Sequence, residues 1–250
     1  MSSDWSSILA LLGKDSGTDH ADAPDSDDVP WMLYRELARD CMERPLVIAQ
    51  IGQSLDGRIA TASGHSHYIN GSESLDHLHR LRAIADAVIV GASTAALDNP
   101  RLTTRRVTGP NPVRVVIDPN GRVPREHALL SEPDAETLLM GGRDEAGLPP
   151  HCTRLVAAGQ SGKIEPGALL GQLRARSLRT ILIEGGGETI SRFLTAGLID
   201  RLHIAVAPML IGSGRPGLIL PEIETLADAR RFEARTYALG PDTLFDCRLS

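Results

Sequence analysis

Apolar positions along this chain fall into short continuous runs separated by segments with helical spacing. Leu46–Ile51 is the first run and is followed by a turn at Asp56-Gly57. Ala87–Val90, Val113–Ile117, Thr137–Met140 and Thr180–Glu184 repeat the form, with further strands near Arg154–Ala157 and at Leu202–Ala207. Such runs, bounded by turn residues, suit strands buried on both faces. Between them, Ser72 precedes a helical pattern through Ala85, and Pro166–Arg176 carries its proline in the first turn, as helix starts prefer. Gly185-Gly186-Gly187 leads into a helix that runs to about Ala196. Phe232–Ala238 and Thr243–Leu249 alternate like an antiparallel pair. The pattern predicts a three-layer α/β/α fold, with a mixed sheet that is mostly parallel and closed by antiparallel C-terminal strands.

The first residues read differently. A short helix is expected near Trp5–Leu12 and another, packed on the outside, over Trp31–Met42. Asp, Ser, Gly and Pro dominate from Lys14 to Pro30 without periodicity. Residues 1–44 are therefore expected to be an N-terminal helix and a flexible acidic tether, and residues 45–250 the folded domain.

Hydrophobic residues make up 42% of the chain and aromatics 3%, so the core must be aliphatic and base stacking on nucleic acid is not expected. The net charge is −6 with no long basic run, so a small anionic ligand would need a few local arginines. Cys41, Cys152 and Cys247 are far apart, which gives no metal spacing and no disulfide framework and suits a cytoplasmic chain. Neither a secretory signal nor an apolar stretch long enough to span a membrane is present.

Four stretches carry candidate chemistry. The glycine run after Thr180–Glu184 offers backbone N–H groups at a helix start, where a phosphate or pyrophosphate is favoured, although a plain tight turn uses the same glycines. On the helix over Glu73–Ala85, residues Leu75, Leu78, Leu81, Ile84 and Ala85 form a stripe. Arg82 falls at its edge, and Arg80 points away. A cation on the core side needs a partner, which a ligand phosphate would supply unless the side chain reaches water. Ala92–Arg106 follows a strand end and collects hydroxyls, Asp98 and three arginines, where ligands of α/β sheets usually lie. Ser54–Ala60 with Ser63–Ile69 reads as a turn and an irregular loop whose His65 and His67 do not make a metal site.

In order and spacing, SLDGRIATASGHSHYI (Ser54–Ile69), the helix end His79–Ala83, VGASTAALDNPRLTTR (Val90–Arg105), ILIEGGGETI (Ile181–Ile190) and LIDRLHIAVAPMLIGSG (Leu198–Gly214) resemble the RibD C-terminal family. This is the dihydrofolate reductase-like reductase domain of riboflavin-biosynthesis enzymes. The resemblance runs from about Pro45 to the C-terminus.

The resemblance implies an oxidoreductase, a pyrimidine reductase using NADPH to reduce 5-amino-6-(5-phosphoribosylamino)uracil to its ribitylamino product. It implies that Ser66, Arg82 and Arg105 hold the substrate, chiefly its phosphate, with Leu102 and Glu184 also in contact. Gly52, Tyr68, Thr94 and Asp98 match cofactor-lining positions, and Gly186, Gly187, Glu188 and Thr189 match the loop over the pyrophosphate. Asp98 and Glu184 are the candidate catalytic groups. Arg122 and Arg143 are both candidates for the 2′-phosphate, and a homodimer is implied. The H-x-E and P-C-x-x-C of the zinc deaminase in bifunctional members do not occur, so deamination is not expected. Gln50 and Gln53 replace residues common in those members, which keeps a dihydrofolate- or pterin-type reductase open as an alternative. A nucleotide-binding protein without turnover is the third reading.

Overall fold

The structure is a computed structural model that describes residues 4–14, 30–67, 69–141, 147–155 and 164–249. Its strands are β1 (Leu46–Ser54), β2 (Arg58–Ala60), β3 (Ala87–Gly91), β4 (Val113–Ile117), β5 (Thr137–Met140), β6 (Cys152–Leu155), β7 (Thr180–Glu184), β8 (Arg201–Ala207), β9 (Arg215–Pro216), β10 (Glu233–Leu239) and β11 (Asp242–Arg248). The helices are α1 (Asp4–Leu11), α2 (Trp31–Glu43), α3 (Ser72–Ile84), α4 (Ala92–Asp98), α5 (Ala128–Ser131), α6 (Pro166–Ala175) and α7 (Gly187–Thr195).

One mixed sheet has the order β10-β11-β8-β1-β7-β3-β4-β5-β6. Strands from β8 to β6 pair in parallel, while β11 is antiparallel to both β8 and β10. The expected mixed α/β fold is the one observed. The expected acidic tether falls almost wholly outside the described residues, as do Tyr68 and Arg143.

Side chains alternate across a strand, so parity decides which layer each residue serves. Leu46 and Ile48 of β1 and Leu182 of β7 pack with α1, α2 and α3 on one face. Val47, Ala49, Ile51, Ile181 and Ile183 pack with α6 and α7 on the other. Burying each such aliphatic side chain contributes roughly 1.5–3 kcal/mol. The same parity aims Gln50 and Glu184 toward α3. Glu184, Gln50, His203 and Asp246 stand in register on neighbouring strands β7, β1, β8 and β11, which makes a polar row beneath that helix.

Two expectations about α3 need correction. Leu75, placed in the apolar stripe, is 42% exposed, whereas His77, His79, Arg80 and Arg82 are buried. Arg80 does not point to solvent; its guanidinium lies 5.8, 5.3 and 5.6 Å from the ring centroids of Trp5, Trp31 and Tyr34. The physical reason is that α3 is covered twice, by the sheet below and by α1 and α2 above, so a single amphipathic stripe does not describe it. The stretch Ala92–Arg106 begins as the short helix α4.

Candidate active site

The carboxyl ends of β1, β7 and β3 lie side by side, because β7 sits between the other two. Glu184 ends β7 and is buried. Arg82 reaches it from α3: Nε donates to Oε1 and Nη2 to Oε2, both at 2.7 Å. This two-point pairing is the strong form of the arginine–carboxylate contact. The sequence argument that Arg82 needs a partner holds, and within the protein Glu184 supplies one.

Nη1 of Arg82 also donates to the Thr103 carbonyl at 3.1 Å. Arg105 approaches the same residue from the loop after α4, its Nη1 donating to Thr103 Oγ1 at 2.7 Å. Both guanidinium groups are thus fastened to one buried threonine. The backbone N–H of Arg105 donates to His79 Nδ1 at 2.9 Å, which ties that loop to α3 a second time. Arg105 is exposed and its pKa is lowered, first by the protein around it and then by the neighbouring cations Arg82 and Arg101. Such a cation cluster gains most from a bound anion. Leu102, just before it, is buried with φ of 55°, a left-handed conformation uncommon for a bulky side chain and a form of stored backbone strain.

The glycine turn lies alongside. Gly185 has φ of 86°, and a Cβ there would come within 2.8 Å of Thr94 Cγ2. Gly186 N–H donates to Thr94 Oγ1 at 2.9 Å, so α4 is stitched to the start of α7. A Cβ on Gly187 would strike the carbonyl of Gly217, and one on Gly91 would meet Thr189 Oγ1 at 2.6 Å. Glu188 is exposed in the first turn of α7, and Thr189 closes that turn by donating its N–H to the Gly186 carbonyl. Gly52, near the end of β1, has no room for a Cβ beside Asn70 Oδ1.

Asp98 ends α4 and is exposed, yet enough protein surrounds its carboxyl to raise its pKa, against the pull of His67 and Arg215. The Arg215 guanidinium packs on Gly64, with Nη2 2.9 Å from where a Cβ would stand. Ser66 lies on the same loop and is half-buried. Arg122 is exposed in the turn after β4, its N–H capped by Asp118 at 2.9 Å.

Sequence reasoning missed Thr103, His79 and Arg215. The first two stood inside the quoted motifs, but only the folded contacts show that they orient the arginines. Arg215 follows the last motif directly and carried no periodic signal.

A family model described as the RibD C-terminal domain matches residues 45–245. The chain belongs to this family. As a RibD C-terminal domain protein, it is 37% identical over 215 residues to the 2,5-diamino-6-ribosylamino-4(3H)-pyrimidinone 5′-phosphate reductase of Methanothermobacter thermautotrophicus, covering 81% of this chain and 97% of the relative. It is 32% identical over 213 residues to riboflavin biosynthesis protein RibD of Escherichia coli, covering 79% of this chain and 58% of that protein. Among solved structures, the Thermotoga maritima diaminohydroxyphosphoribosylaminopyrimidine deaminase/5-amino-6-(5-phosphoribosylamino)uracil reductase superposes with a TM-score of 0.71 at 27% identity, over 87% of this chain and 61% of that one. The RibD C-terminal chain thus spans about three-fifths of such bifunctional relatives and nearly all of the stand-alone reductase.

Proposed function

We propose that this protein is the pyrimidine reductase of riboflavin biosynthesis, reducing 5-amino-6-(5-phosphoribosylamino)uracil to 5-amino-6-(5-phosphoribitylamino)uracil with NADPH. The observation that carries the reading is the attachment of Arg82 and Arg105 to Thr103, beside Glu184 at the end of β7. Arg105 and the remaining N–H groups of Arg82 receive the sugar phosphate, with Ser66 and Leu102 completing the pocket. The carboxylate of Glu184 has lone pairs beyond those Arg82 uses, and these accept N–H groups of the pyrimidine.

The glycine turn fits a dinucleotide. Gly91, Gly185 and Gly187 let Thr189, Thr94 and the Gly217 carbonyl pack directly on the turn, which fixes its shape, and the start of α7 supplies N–H donors for a pyrophosphate. Gly52, Thr94, Gly186, Glu188 and Thr189 line that cleft, Asp98 orients the nicotinamide end, and the resemblance adds Tyr68 to the cofactor contacts and leaves Arg122 and Arg143 as candidates for the 2′-phosphate. When bound, NADPH supplies hydride to the sugar C1. The chain's own work is to hold donor and acceptor in contact.

The substrate choice narrows to C2 of the pyrimidine. The relative matched across 97% of its length is named for the 2-amino compound, which favours that compound as a second reading. A pterin substrate would leave the exposed Arg105 without an anion, although Glu184 already neutralises Arg82. Loss of NADPH absorbance with the phosphoribosylaminouracil, its 2-amino counterpart and dihydrofolate, offered in turn, tests all three. Turnover of dihydrofolate alone overturns the proposal, and tight NADPH binding with no oxidation supports a non-catalytic binding protein.

The reductase domain is assigned to residues 45–250 of a cytoplasmic homodimer. Among the described residues no helix is long and apolar enough to cross a membrane. The edge strand β10 is exposed along most of its length, and Phe232 and Phe245 are exposed near it, a surface that suits pairing with a second copy.

A further inference from the structure

The two arginines assigned to the phosphate come from separate stretches of chain, and α1 and α2 are fastened to both. Trp5 of α1 donates its indole N–H to the Thr108 carbonyl at 2.7 Å, on the loop that bears Arg105. Leu9 packs close to Gly109 in that loop, and a Cβ on Gly109 would meet the Ala83 side chain of α3 at 2.5 Å. On α3, Arg80 is buried in the cage of Trp5, Trp31 and Tyr34, and its Nε has no hydrogen-bond acceptor. Tyr34 O–H also bonds His77 Nδ1 at 2.7 Å. The α3 residues gripped from above, His77 and Arg80, alternate with those that serve the site below, His79 and Arg82.

A buried arginine without a full set of acceptors is costly unless rings or charges compensate it, and three aromatic faces do so here. The chain's eight aromatic residues include two tryptophans, and both stand in this cage. Both helices lie before residue 45, where the family match begins.

We propose that α1 and α2 are a positioning brace for the phosphate pocket, with Trp5 and Arg80 as its positioning residues. Trp5 locks the Arg105 loop through Thr108, and the Arg80 cage locks α3, so the spacing between the Arg82 and Arg105 guanidinium groups is set from outside the reductase domain. This rests on the reading of Arg82 and Arg105 as phosphate ligands.

The test uses the full chain carrying Trp5→Phe, which keeps a ring in the cage and removes the N–H donor together with part of the ring's volume. KM for the phosphorylated substrate should rise about 3- to 10-fold with kcat within about twofold, in line with a positioning error that costs binding rather than chemistry. KM for NADPH should not move. Ribose 5-phosphate, titrated by calorimetry in the presence of NADPH, should weaken by the same factor, and ribose should not. A second pair keeps the claim open to refutation if W5F fails to fold: Arg80→Met should reproduce the KM effect, and Arg80→Lys, which restores a cation to the cage, should largely rescue it. A lower Tm with unchanged KM and unchanged ribose 5-phosphate affinity, in W5F or in R80M, overturns the brace alone. A wild-type protein that binds ribose 5-phosphate no better than ribose overturns the phosphate assignment, and the brace with it.

Discussion

Arg82 and Glu184 face one another through two parallel 2.7 Å hydrogen bonds, although 102 positions separate them in the chain. Each is nearly inaccessible to solvent, at 6% and 5%. Neither charge would be stable there alone. The pairing sets the carboxyl group against the pocket while Arg82 keeps N–H groups beyond those given to Glu184 and Thr103.

Glu184→Gln removes the charge and leaves Arg82 buried without its counter-ion. Breaking a buried pair in this way costs roughly 3–5 kcal/mol, a fall of roughly 10 °C in Tm for a chain of this size. The kcat/KM for the ribosylaminopyrimidine should fall by about 100-fold, a loss typical of removing one well-placed polar contact. Thermal melts and NADPH absorbance check both, and full activity in E184Q would remove Glu184 from the substrate site.

Gly187→Ala drives a methyl group onto the Gly217 carbonyl, a backbone atom that cannot swing aside. KM for NADPH should rise by about tenfold or more, since the turn proposed to hold the pyrophosphate has to move. Gly171→Ala in α6 is the control: nothing lies near its Cβ, and it should stabilise the protein by about 0.5–1 kcal/mol without touching KM.

Asp98 has a raised pKa, so its carboxyl takes up a proton at a higher pH than a free aspartate, at about 3.9. If its anion orients the cofactor, kcat/KM falls on the acid side through that raised pKa. Asp98→Asn should lower kcat/KM and abolish that limb of the profile. Unchanged kcat/KM with an unchanged profile would show that Asp98 takes no part.

His77 and His203 are buried, and burial pushes both below the usual histidine range. Tyr34 O–H pairs with His77 Nδ1 at 2.7 Å and His77 Nε2 with His203 Nδ1 at 3.1 Å, so each bond takes one proton from the chain of three side chains. His203 Nε2 lies 3.2 Å from Asp246 Oδ1, without good hydrogen-bond alignment. Asp246 is held down at about 2; burial opposes that shift, and His203 and Arg201 outweigh it. The folded chain resists protonation of both rings, while the unfolded chain binds protons below about pH 6.5. Stability should therefore fall as pH drops from about 6.5, by at most roughly 1.4 kcal/mol per pH unit for each ring. Tm measured from pH 7 to 5 should show the slope, and His77→Gln with His203→Gln should flatten it.

The strands β4, β5 and β7 were legible because each is a short, mostly apolar run closed by turn residues, β4 even with Arg114 inside it. Helix α4 was not, since Ala92–Asp98 mixes serine and threonine with alanine and carries no clear period. The helical wheel of α3 failed for a different reason: periodicity detects one buried face, and α3 has two. That Arg82 required a partner was visible from burial, but nothing local names Glu184. The cage around Arg80 joins residues 5, 31, 34 and 80, and pairings at that range leave no mark in a sequence window.

Because Glu184, Gln50, His203 and Asp246 occupy one parity across four adjoining strands, chemistry and core are read from a single frame. A deletion of one residue within β7 would leave its aliphatic run intact by composition. It would nonetheless turn the carboxylate toward α6 and α7 and orphan Arg82 on the opposite side. A deletion that the hydrophobic composition tolerates is thus one the reaction does not.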